Sequence, residues 1–179
     1  WFTGVKIKNG NTFYNNFYDD MEWNALAMLR AYNATKDEKF KTAALDVWSN
    51  IQTGWNSTMN GGIAWKKDQL YYKNTPANAP ACILAARLYK QFNGASDLEW
   101  SKKIYAWMKK HLFEAGTGFV YDGINRENNG AKDNWKFTYN QGTFLGAALE
   151  LYNITGEKVY LNDAIKAADL YDLLEESLV

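Results

Sequence analysis

Three stretches of the chain place apolar residues on every side of a helix. They cover residues 19–32, 75–89 and 138–152, with alanines between the larger side chains. The second stretch opens with Pro76, a residue that favours the first turn, so Thr75 is predicted as its cap. A helix that is apolar all round is a buried helix. The pattern therefore predicts three inner helices.

Each inner helix is followed, after a linker of about four residues, by a helix with a single apolar stripe. The first linker is predicted at residues 33–36, and the capping-box patterns Thr35-x-x-Glu38 and Ser96-x-x-Glu99 predict where two of these helices begin. One apolar stripe with charged residues opposite is typical of a helix at the surface. The residues predicted to face inward are Phe40, Ala43, Ala44, Val47, Trp48 and Ile51, then Trp100, Ile104, Trp107, Met108 and Leu112, then Leu161, Ala164, Ile165 and Ala168.

Inner and outer helices thus alternate in a hairpin of roughly 60 residues that occurs three times. Hairpins of this kind pack side by side, and the array either closes into an (α/α) toroid or continues as a solenoid. The sequence therefore predicts an all-α repeat domain over residues 17–179. Residues 1–16 are expected to form an irregular lead-in arm, in which Val5-Lys6-Ile7 is a short strand or an extended loop.

The connections between helices are unequal in length. Residues 53–74 and 113–137 form loops of about twenty residues, and loops of this length in a compact domain are usually functional or disordered. Because both precede an inner helix, we expect them to gather at one end of the helix layer. The same end holds the pair Asp19-Asp20, Asn74 and the polar stretch Thr138-Tyr139-Asn140-Gln141. A ligand site is therefore predicted there.

Composition narrows the choice of partner. Lys plus Arg equal Asp plus Glu at 20 each, so no net field attracts nucleic acid or an anionic membrane surface. Aromatic residues make up 16% of the chain, which suits cores, protein interfaces and sugar-binding clefts alike. We expect no membrane span, because no apolar stretch is long enough. The chain does not begin with Met, so it is expected to be processed, cut or partial. The oligomeric state stays open.

Asp19 and Asp20 are the candidate catalytic groups. Two carboxylates at a helix start can be simple caps, since Asp favours this position. Their carboxyl groups can also lie about 5 Å apart, the separation between the nucleophile and the acid/base of a retaining glycosidase. Like charges at this distance raise one pKa and titrate together, which leaves one acid and one carboxylate. One His and one Cys supply no zinc-ligand set, so no metal is expected.

Four motifs occur in a specific order and spacing. They are Tyr18-Asp19-Asp20-Met21-Glu22-Trp23, Gly61-Gly62-Ile63-Ala64-Trp65, Tyr72-Lys73-Asn74-Thr75 and Thr138-Tyr139-Asn140-Gln141-Gly142. Together they resemble glycoside hydrolase family 76, the endo-α-1,6-mannanases and their relatives. The resemblance implies an (α/α)6 toroid that cuts linear α-1,6-mannan with retention of configuration and needs no metal or organic cofactor. It also implies that Asp19 is the nucleophile and Asp20 the acid/base.

The resemblance extends to residues that would hold the sugar. Family members often carry a second tryptophan after the first, where this chain has Asn24, so one wall of the sugar site is expected to differ. Three hairpins are half of a six-hairpin ring, so this chain is expected to be part of a larger barrel. Each implied binding residue could instead be a core aromatic or a helix cap. The residues implied to lie in or near the cleft are Trp23, Trp65, Tyr72, Asn74, Asp122, Tyr139, Asn140 and Gln141.

The leading hypothesis from the sequence is an extracellular or cell-surface enzyme that hydrolyses α-1,6-linked mannan internally through Asp19 and Asp20. The location is inferred from the polymeric substrate alone. One alternative is another (α/α)-toroid enzyme that transfers glycosyl groups or isomerises sugars. A second alternative, from a different class, is a non-catalytic glycan-binding or helical-repeat interaction protein.

Overall fold

A computed structural model gives the fold of this chain and describes residues 1–176, with side chains up to residue 170. The predicted domain, residues 17–179, thus extends three residues beyond the described part. The described residues contain seven α-helices and five strands of two residues each. The helices are α1 (Phe2–Lys8), α2 (Tyr18–Thr35), α3 (Glu38–Gln52), α4 (Thr75–Phe92), α5 (Ala95–His111), α6 (Thr138–Thr155) and α7 (Lys158–Glu176).

Six of these helices form three hairpins. α2 packs on α3, α4 on α5 and α6 on α7, and each pair is joined by a short link. α4 also packs against α2 on one side and α6 on the other, so the three inner helices lie next to one another. The prediction of an all-α fold, an (α/α) toroid type built from helical hairpins with three of them in this chain, is confirmed.

α4 lies at the centre of this packing. Every residue from position 77 to position 86 is buried, and half of these residues are alanines, which let the neighbouring helices come close. Its Cys82 thiol lies 3.3 Å from the Ser101 hydroxyl of α5, and burial raises the pKa of that thiol to about 12. The prediction of all-round burial is therefore correct for α4. It is wrong for α2 and α6, where Trp23 and Tyr139 are each 49% exposed, because among the described residues each of these helices has an inner neighbour on one side only.

The start of α3 differs from the predicted capping box. α2 continues to Thr35, whose hydroxyl donates to the Ala31 carbonyl at 2.8 Å, and the helix ends where Lys36 adopts a left-handed conformation. Asp37 caps α3, because its side chain accepts the backbone N–H of Lys39 at 3.1 Å. The predicted linker at residues 33–36 and the predicted capping role of Thr35 are both wrong. The Asp37 carboxylate, two residues after Thr35, accepts the capping hydrogen bond instead.

The starts of α4 and α5 also differ from the prediction, but these two helices begin earlier than predicted, whereas α3 begins later. Asn74 is the cap of α4, and its side chain accepts the backbone N–H of Ala77 at 3.2 Å, so Thr75 is the first residue of the helix rather than its cap. α5 follows Gly94, and Ser96 lies inside the helix without a capping hydrogen bond. The predicted capping box at Ser96 is therefore wrong.

The first 16 residues are not wholly irregular. Phe2–Lys8 forms helix α1, so the prediction of a strand or extended loop at Val5-Lys6-Ile7 is wrong. Phe2 packs against Phe13 and Phe40, with ring centroids 4.7 and 4.9 Å away. Seven residues are too few for a helix that is stable alone, so this aromatic contact with α3 is what supports α1.

The inward face of α7 also differs from the prediction. Ile165 is 49% exposed, whereas Asp163 and Ala167 are buried. Asp163 accepts hydrogen bonds from the Tyr105 hydroxyl at 2.8 Å and from the Lys109 ammonium at 2.6 Å, both on α5. Asp163 thus faces inward as one partner of a partly buried ion pair, which a hydrophobic pattern cannot predict.

The two long loops meet beside the inner helices, as expected. The segment before α4 supplies one edge strand of a three-stranded antiparallel sheet, and the segment before α6 supplies the other two strands. A separate two-stranded hairpin opens the second loop. The strands are β1 (Lys73–Asn74), β2 (Phe113–Glu114), β3 (Phe119–Val120), β4 (Gly123–Ile124) and β5 (Lys132–Asp133), in sheets ordered β1-β4-β5 and β2-β3.

Two buried polar side chains attach the first long loop to the core. Asn78 of α4 accepts the backbone N–H of Ile63 at 2.8 Å and donates to the Ile63 carbonyl at 2.9 Å, as a neighbouring strand would. The ammonium of Lys73 donates to the Gly62 carbonyl at 2.8 Å and reaches the Gly54 carbonyl at 3.5 Å. Burial lowers the pKa of Lys73 to about 7. The loop is therefore held by side chains that satisfy its backbone.

Replacement of Asn78 by alanine tests this attachment. The variant leaves the buried N–H and carbonyl of Ile63 without their partners, and each unsatisfied group costs about 1–3 kcal/mol. We expect Asn78→Ala to lower the free energy of unfolding by about 2–4 kcal/mol in urea denaturation. The matched control is Asn153→Ala at an exposed position of α6, with an expected change within about 0.5 kcal/mol. Equal effects of the two variants would contradict the assignment.

Candidate active site

A cavity of about 560 Å³ opens at the N-terminal ends of α2, α4 and α6. Seven of the ten predicted site residues line it, and they come from α2, from α6 and from both long loops, with Asn74 at the cap of α4. Five further residues that the sequence analysis did not single out complete the lining. The predicted residues are Asp19, Trp23, Trp65, Tyr72, Asn74, Asp122 and Tyr139, and the additional ones are Pro76, Arg126, Trp135, Phe137 and Thr143.

Of the pair Asp19-Asp20, Asp19 is the carboxylate that lines this cavity. The backbone N–H of Tyr18 donates to the Trp65 carbonyl at 3.0 Å, which ties the start of α2 to the first long loop. The Trp65 indole N–H then donates to Asp19 at 3.2 Å, and the backbone N–H of Asp20 donates to its other oxygen at 3.0 Å. Burial raises the pKa of Asp19, the charge of Asp20 adds to the rise, and the two hydrogen bonds oppose it.

Asp20 faces a different space. Successive residues of an α-helix point about 100° apart, so the two side chains diverge from the helix axis. Asp20 is exposed and lines a neighbouring cavity of about 460 Å³ together with Lys8 of α1, Asn15 and Asn24. The Asn24 amide donates to the Asp20 carbonyl at 2.8 Å. The residue that replaces the expected second tryptophan therefore lies on the Asp20 side of the pair.

Asp122 is the centre of a hydrogen-bond network in the cavity wall and is only 4% exposed. One of its oxygens accepts from the Tyr139 hydroxyl and from the Asn140 amide, each at 3.1 Å. The other oxygen accepts from the Tyr72 hydroxyl at 3.2 Å and from the Arg126 guanidinium at 3.1 Å. Four donors from both loops and from α6 thus fix one carboxylate.

Arg126 extends this network to a second carboxylate. Its Nε donates to Asp133 at 2.8 Å, and its terminal nitrogen donates to the Tyr72 hydroxyl oxygen. The Tyr72 hydroxyl also lies 2.9 Å from Asp133. Burial and the Asp122 charge raise the pKa of Tyr72, so this hydroxyl keeps its proton and can donate. One arginine therefore holds two carboxylates and one tyrosine together.

An aromatic wall continues from this network toward solvent. Trp135 is 53% exposed, and one face of its indole is covered by the Arg126 guanidinium at 4.7 Å from the ring centroid. Its edge meets Phe137, which stacks on Tyr139 with centroids 5.0 Å apart and planes at 13°. The sequence carried one signal for this wall, the alternation of Trp135, Phe137 and Tyr139 just before an inner helix.

Two predicted site residues have other positions. Asn140 is buried behind Asp122 and orients that carboxylate through its amide. Gln141 is also buried and does not line the cavity, because its side chain accepts the N–H of Val120 and donates to the Val120 carbonyl, both at 3.2 Å. Gln141 thus holds β3 against α6, in the way that Asn78 holds the first loop.

Glu22 is a further residue near the site, and the sequence motifs gave it no role of its own. It follows Asp19 by one helical turn and is fully buried on α2. The signal in the sequence was a glutamate within the first motif, among residues predicted to be buried on every side. Its burial raises its pKa well above the usual value, and the charge of Asp19 raises it further.

Within residues 1–170, whose side chains the structure describes, no three His, Cys, Asp or Glu side chains come together as ligands for a metal ion. Across the same residues, no helix has both the length and the apolar character needed to cross a bilayer.

The cavity, with a helix-start carboxylate and an aromatic wall, occurs in a chain whose residues 6–173 match glycosyl hydrolase family 76. The chain belongs to this family. Mannan endo-1,6-alpha-mannosidase DCW1 from Candida albicans is 32% identical to it over 162 residues, which cover 83% of this chain and 36% of that protein.

Two solved structures are also similar to this chain. The Lin0763 protein from Listeria innocua is 51% identical, with a TM-score of 0.89, and the match covers 92% of this chain and 48% of that one. The GH76A alpha-1,6-mannanase from Salegentibacter sp. HEL1_6 is 43% identical, with a TM-score of 0.91, over 94% of this chain and 51% of that one. The chain spans about half the length of these proteins.

The Salegentibacter enzyme has also been solved in two inactive forms. In one, two consecutive aspartates are replaced by alanine, and the protein is in complex with alpha-1,6-mannotetrose. In the other, the same two aspartates are replaced by asparagine, and the complex contains alpha-1,6-mannotriose. These two structures are 42% identical to this chain.

Replacement of Arg126 by leucine tests the network in the cavity wall. The side chains of Asp122 and Asp133 are 6% and 16% exposed, so removal of their shared cation leaves charge in a buried place. We expect a loss of about 3 kcal/mol in the free energy of unfolding. Lys39→Leu removes an ion pair whose side chains are 56% and 43% exposed, and should cost less than about 1 kcal/mol. A loss for Arg126→Leu as small as that for Lys39→Leu would contradict this description.

Proposed function

We propose that this protein hydrolyses α-1,6-mannosidic bonds within mannan chains and retains the anomeric configuration. Asp19 is the nucleophile, and Asp20 is the general acid/base. The observation that carries this proposal is the position of Asp19, a half-buried carboxylate held by Trp65 at the base of an aromatic-walled cavity. The inactive variants of the similar mannanase, which lack two consecutive aspartates, support the choice of this pair.

The reaction proceeds in two displacements. A carboxylate oxygen of Asp19 attacks the anomeric carbon, while Asp20 donates its proton to the glycosidic oxygen, so the bond to the leaving chain breaks as the bond to Asp19 forms. Asp20, now ionised, then takes a proton from water. The water oxygen attacks the same carbon, releases Asp19 and restores the starting charges. Two inversions give net retention.

The environment of Asp19 suits a nucleophile with a defined orientation. The Trp65 indole and the backbone N–H of Asp20 hold one oxygen each. Because burial raises the pKa of Asp19, the carboxylate needs a higher pH for ionisation than an ordinary aspartate does. Hydrolysis should therefore decrease as the pH falls through this raised pKa.

The cavity wall suits a chain of sugars. Trp23, Trp135 and Tyr139 are each about half exposed and offer apolar ring faces, which pack on the C–H faces of pyranose rings. Asn74 and Asp122 provide polar atoms between them, and the Asp122 carboxylate is already fixed by four donors. Trp65 and Tyr72 contribute buried edges of the same wall.

The proposed substrate and the repeated helical hairpin also suggest where the enzyme acts and what larger domain it belongs to. We propose that residues 17–179 form a helical-hairpin domain that is part of a larger (α/α)6 barrel, in which the Asp20 cavity lies beside the rest of the cleft. A substrate that is a cell-wall polymer requires an enzyme at the cell surface or outside the cell. Asp20 carries out the proton transfers and Asp19 the displacement, so the chemistry needs no cofactor.

Replacement of either aspartate tests the catalytic assignment. Asp19→Asn and Asp20→Asn should each lower kcat on linear α-1,6-mannan by at least about 1,000-fold, because each removes a group that forms or breaks bonds in the reaction. The control is Asp169→Asn at an exposed position of α7, which should retain full activity. The measurement is oligosaccharide release by the protein in its longest natural form.

The anomeric form of the first products tests the mechanism. Retention predicts α-anomers at early times, detected by NMR before mutarotation, and internal cleavage predicts a mixture of oligosaccharides. Release of β-anomers would exclude the double displacement. Full activity of both aspartate variants would exclude the pair.

Trp135→Ala tests the aromatic wall. Loss of one stacking face should weaken binding by about 1.4 kcal/mol, which corresponds to a roughly tenfold rise in KM with a smaller change in kcat. Trp1→Ala provides the control, since Trp1 is similarly exposed but lies outside the cavity. An unchanged KM for Trp135→Ala would place the sugar chain elsewhere.

A further inference from the structure

Glu22 is fully buried, but no hydrogen bond among the described residues compensates for the loss of water around its carboxyl group. It is 0% exposed on α2, and neither of its carboxylate oxygens has a hydrogen-bond partner among the residues that the structure describes. A buried carboxylate without a partner lowers the stability of a protein, particularly when it is ionised. A side chain that costs stability in the core and lies beside a candidate active site is therefore a candidate for a functional role.

The surroundings of Glu22 contain one charge that acts on it. Asp19 precedes it by three residues on α2, and residues at this spacing are neighbours on a helix surface. α3 contributes only apolar buried side chains to the core. The titratable residue in the buried part of α4 is Cys82, whose thiol contacts Ser101. The buried ammonium of Lys73 donates to loop carbonyls.

The electrostatics of this position favour the protonated acid. Burial raises the pKa of Glu22 well above its usual value, and the negative charge of Asp19 raises it further. The backbone N–H of Ala81 in α4 opposes this slightly, without forming a hydrogen bond to either oxygen. Glu22 therefore keeps its proton at pH values where an exposed glutamate is ionised.

We propose that Glu22 is a positioning residue for Asp19: a neutral carboxylic acid, one helical turn from the nucleophile, whose O–H has no other partner among the described residues, is available to Asp19 and adds no second negative charge. A neutral acid can donate to a carboxylate, whereas an ionised one repels it. Donation to the ionised form of Asp19 favours that form and restricts its orientation. The inference rests on the proposed function, because it takes Asp19 as the nucleophile.

The first experiment measures stability and does not depend on activity. A raised pKa in the folded state means that stability is fully present below the ordinary pKa of Glu and decreases as the pH rises toward the raised value. Glu22→Gln removes this loss. We expect its Tm to equal that of the parent protein at about pH 4 and to exceed it by at least about 3 °C at about pH 8.

The control for stability is Glu99→Gln at an exposed position of α5, which should change Tm equally little at both pH values. A Glu22→Gln variant that is less stable than the parent, or that shows no pH-dependent difference, overturns the proposal. Such a result would mean that Glu22 is ionised in the folded protein or has a structural hydrogen bond.

The second experiment measures kcat and KM on linear α-1,6-mannan across pH, with the protein in its longest natural form. Glu22→Gln keeps a neutral donor, so kcat should stay within about threefold of the parent value. Glu22→Leu has no donor. It should lower kcat at least about tenfold with little change in KM, and it should move the acidic limb of the kcat profile to higher pH.

An unchanged kcat and acidic limb in Glu22→Leu would overturn the positioning role. Glu22→Leu should fold, because an apolar side chain replaces a buried acid, and circular dichroism checks this. Cleavage by none of the proteins, the parent included, would be a failure of the proposed function. The stability experiment alone then decides whether Glu22 is a neutral buried acid.

Discussion

The close packing of α4 between α2 and α6 is the constraint on which the rest of the structure depends. Five of its twelve buried residues are alanines, so the neighbouring inner helices approach it closely. This spacing sets the distance between the N-terminal ends of the three helices. Asp19, Asn74 and Tyr139 reach one cavity for that reason. A bulkier α4 would separate them even if every site residue were kept.

The long loops complete the site because buried polar side chains replace a regular sheet. Asn78 and Gln141, on two inner helices, each bind both backbone groups of one loop residue. Lys73 supplies a third attachment through its ammonium group. Amides in sequence motifs are easily assigned to a ligand, but here part of that set serves to fix the loops. Asn140 contributes to the cavity indirectly. Its amide donates to Asp122, and the Asp122 carboxylate lines the cavity.

Much of the fold could be predicted from the sequence, because apolar periodicity separates inner from outer helices and long loops precede the inner ones. Helix ends could not, since Asp37 and Asn74 compete with nearby Thr residues as caps and tertiary contacts decide between them. α1 escaped prediction because seven residues carry too little pattern. Arg126 and Trp135 lie in a loop whose sheet pairing brings them to the cavity, and sequence spacing does not report such pairing.

The network around Asp122 has a consequence for the entropy of binding. Tyr72, Arg126 and Tyr139 are restrained by hydrogen bonds to carboxylates, and Trp135 rests on the guanidinium of Arg126. Long or aromatic side chains that become ordered only on binding cost about 0.5–1.5 kcal/mol each. In this cavity their rotamer freedom is lost during folding. A flexible ligand that enters this cavity therefore meets a wall that is already ordered, and the main conformational entropy lost on association is that of the ligand itself.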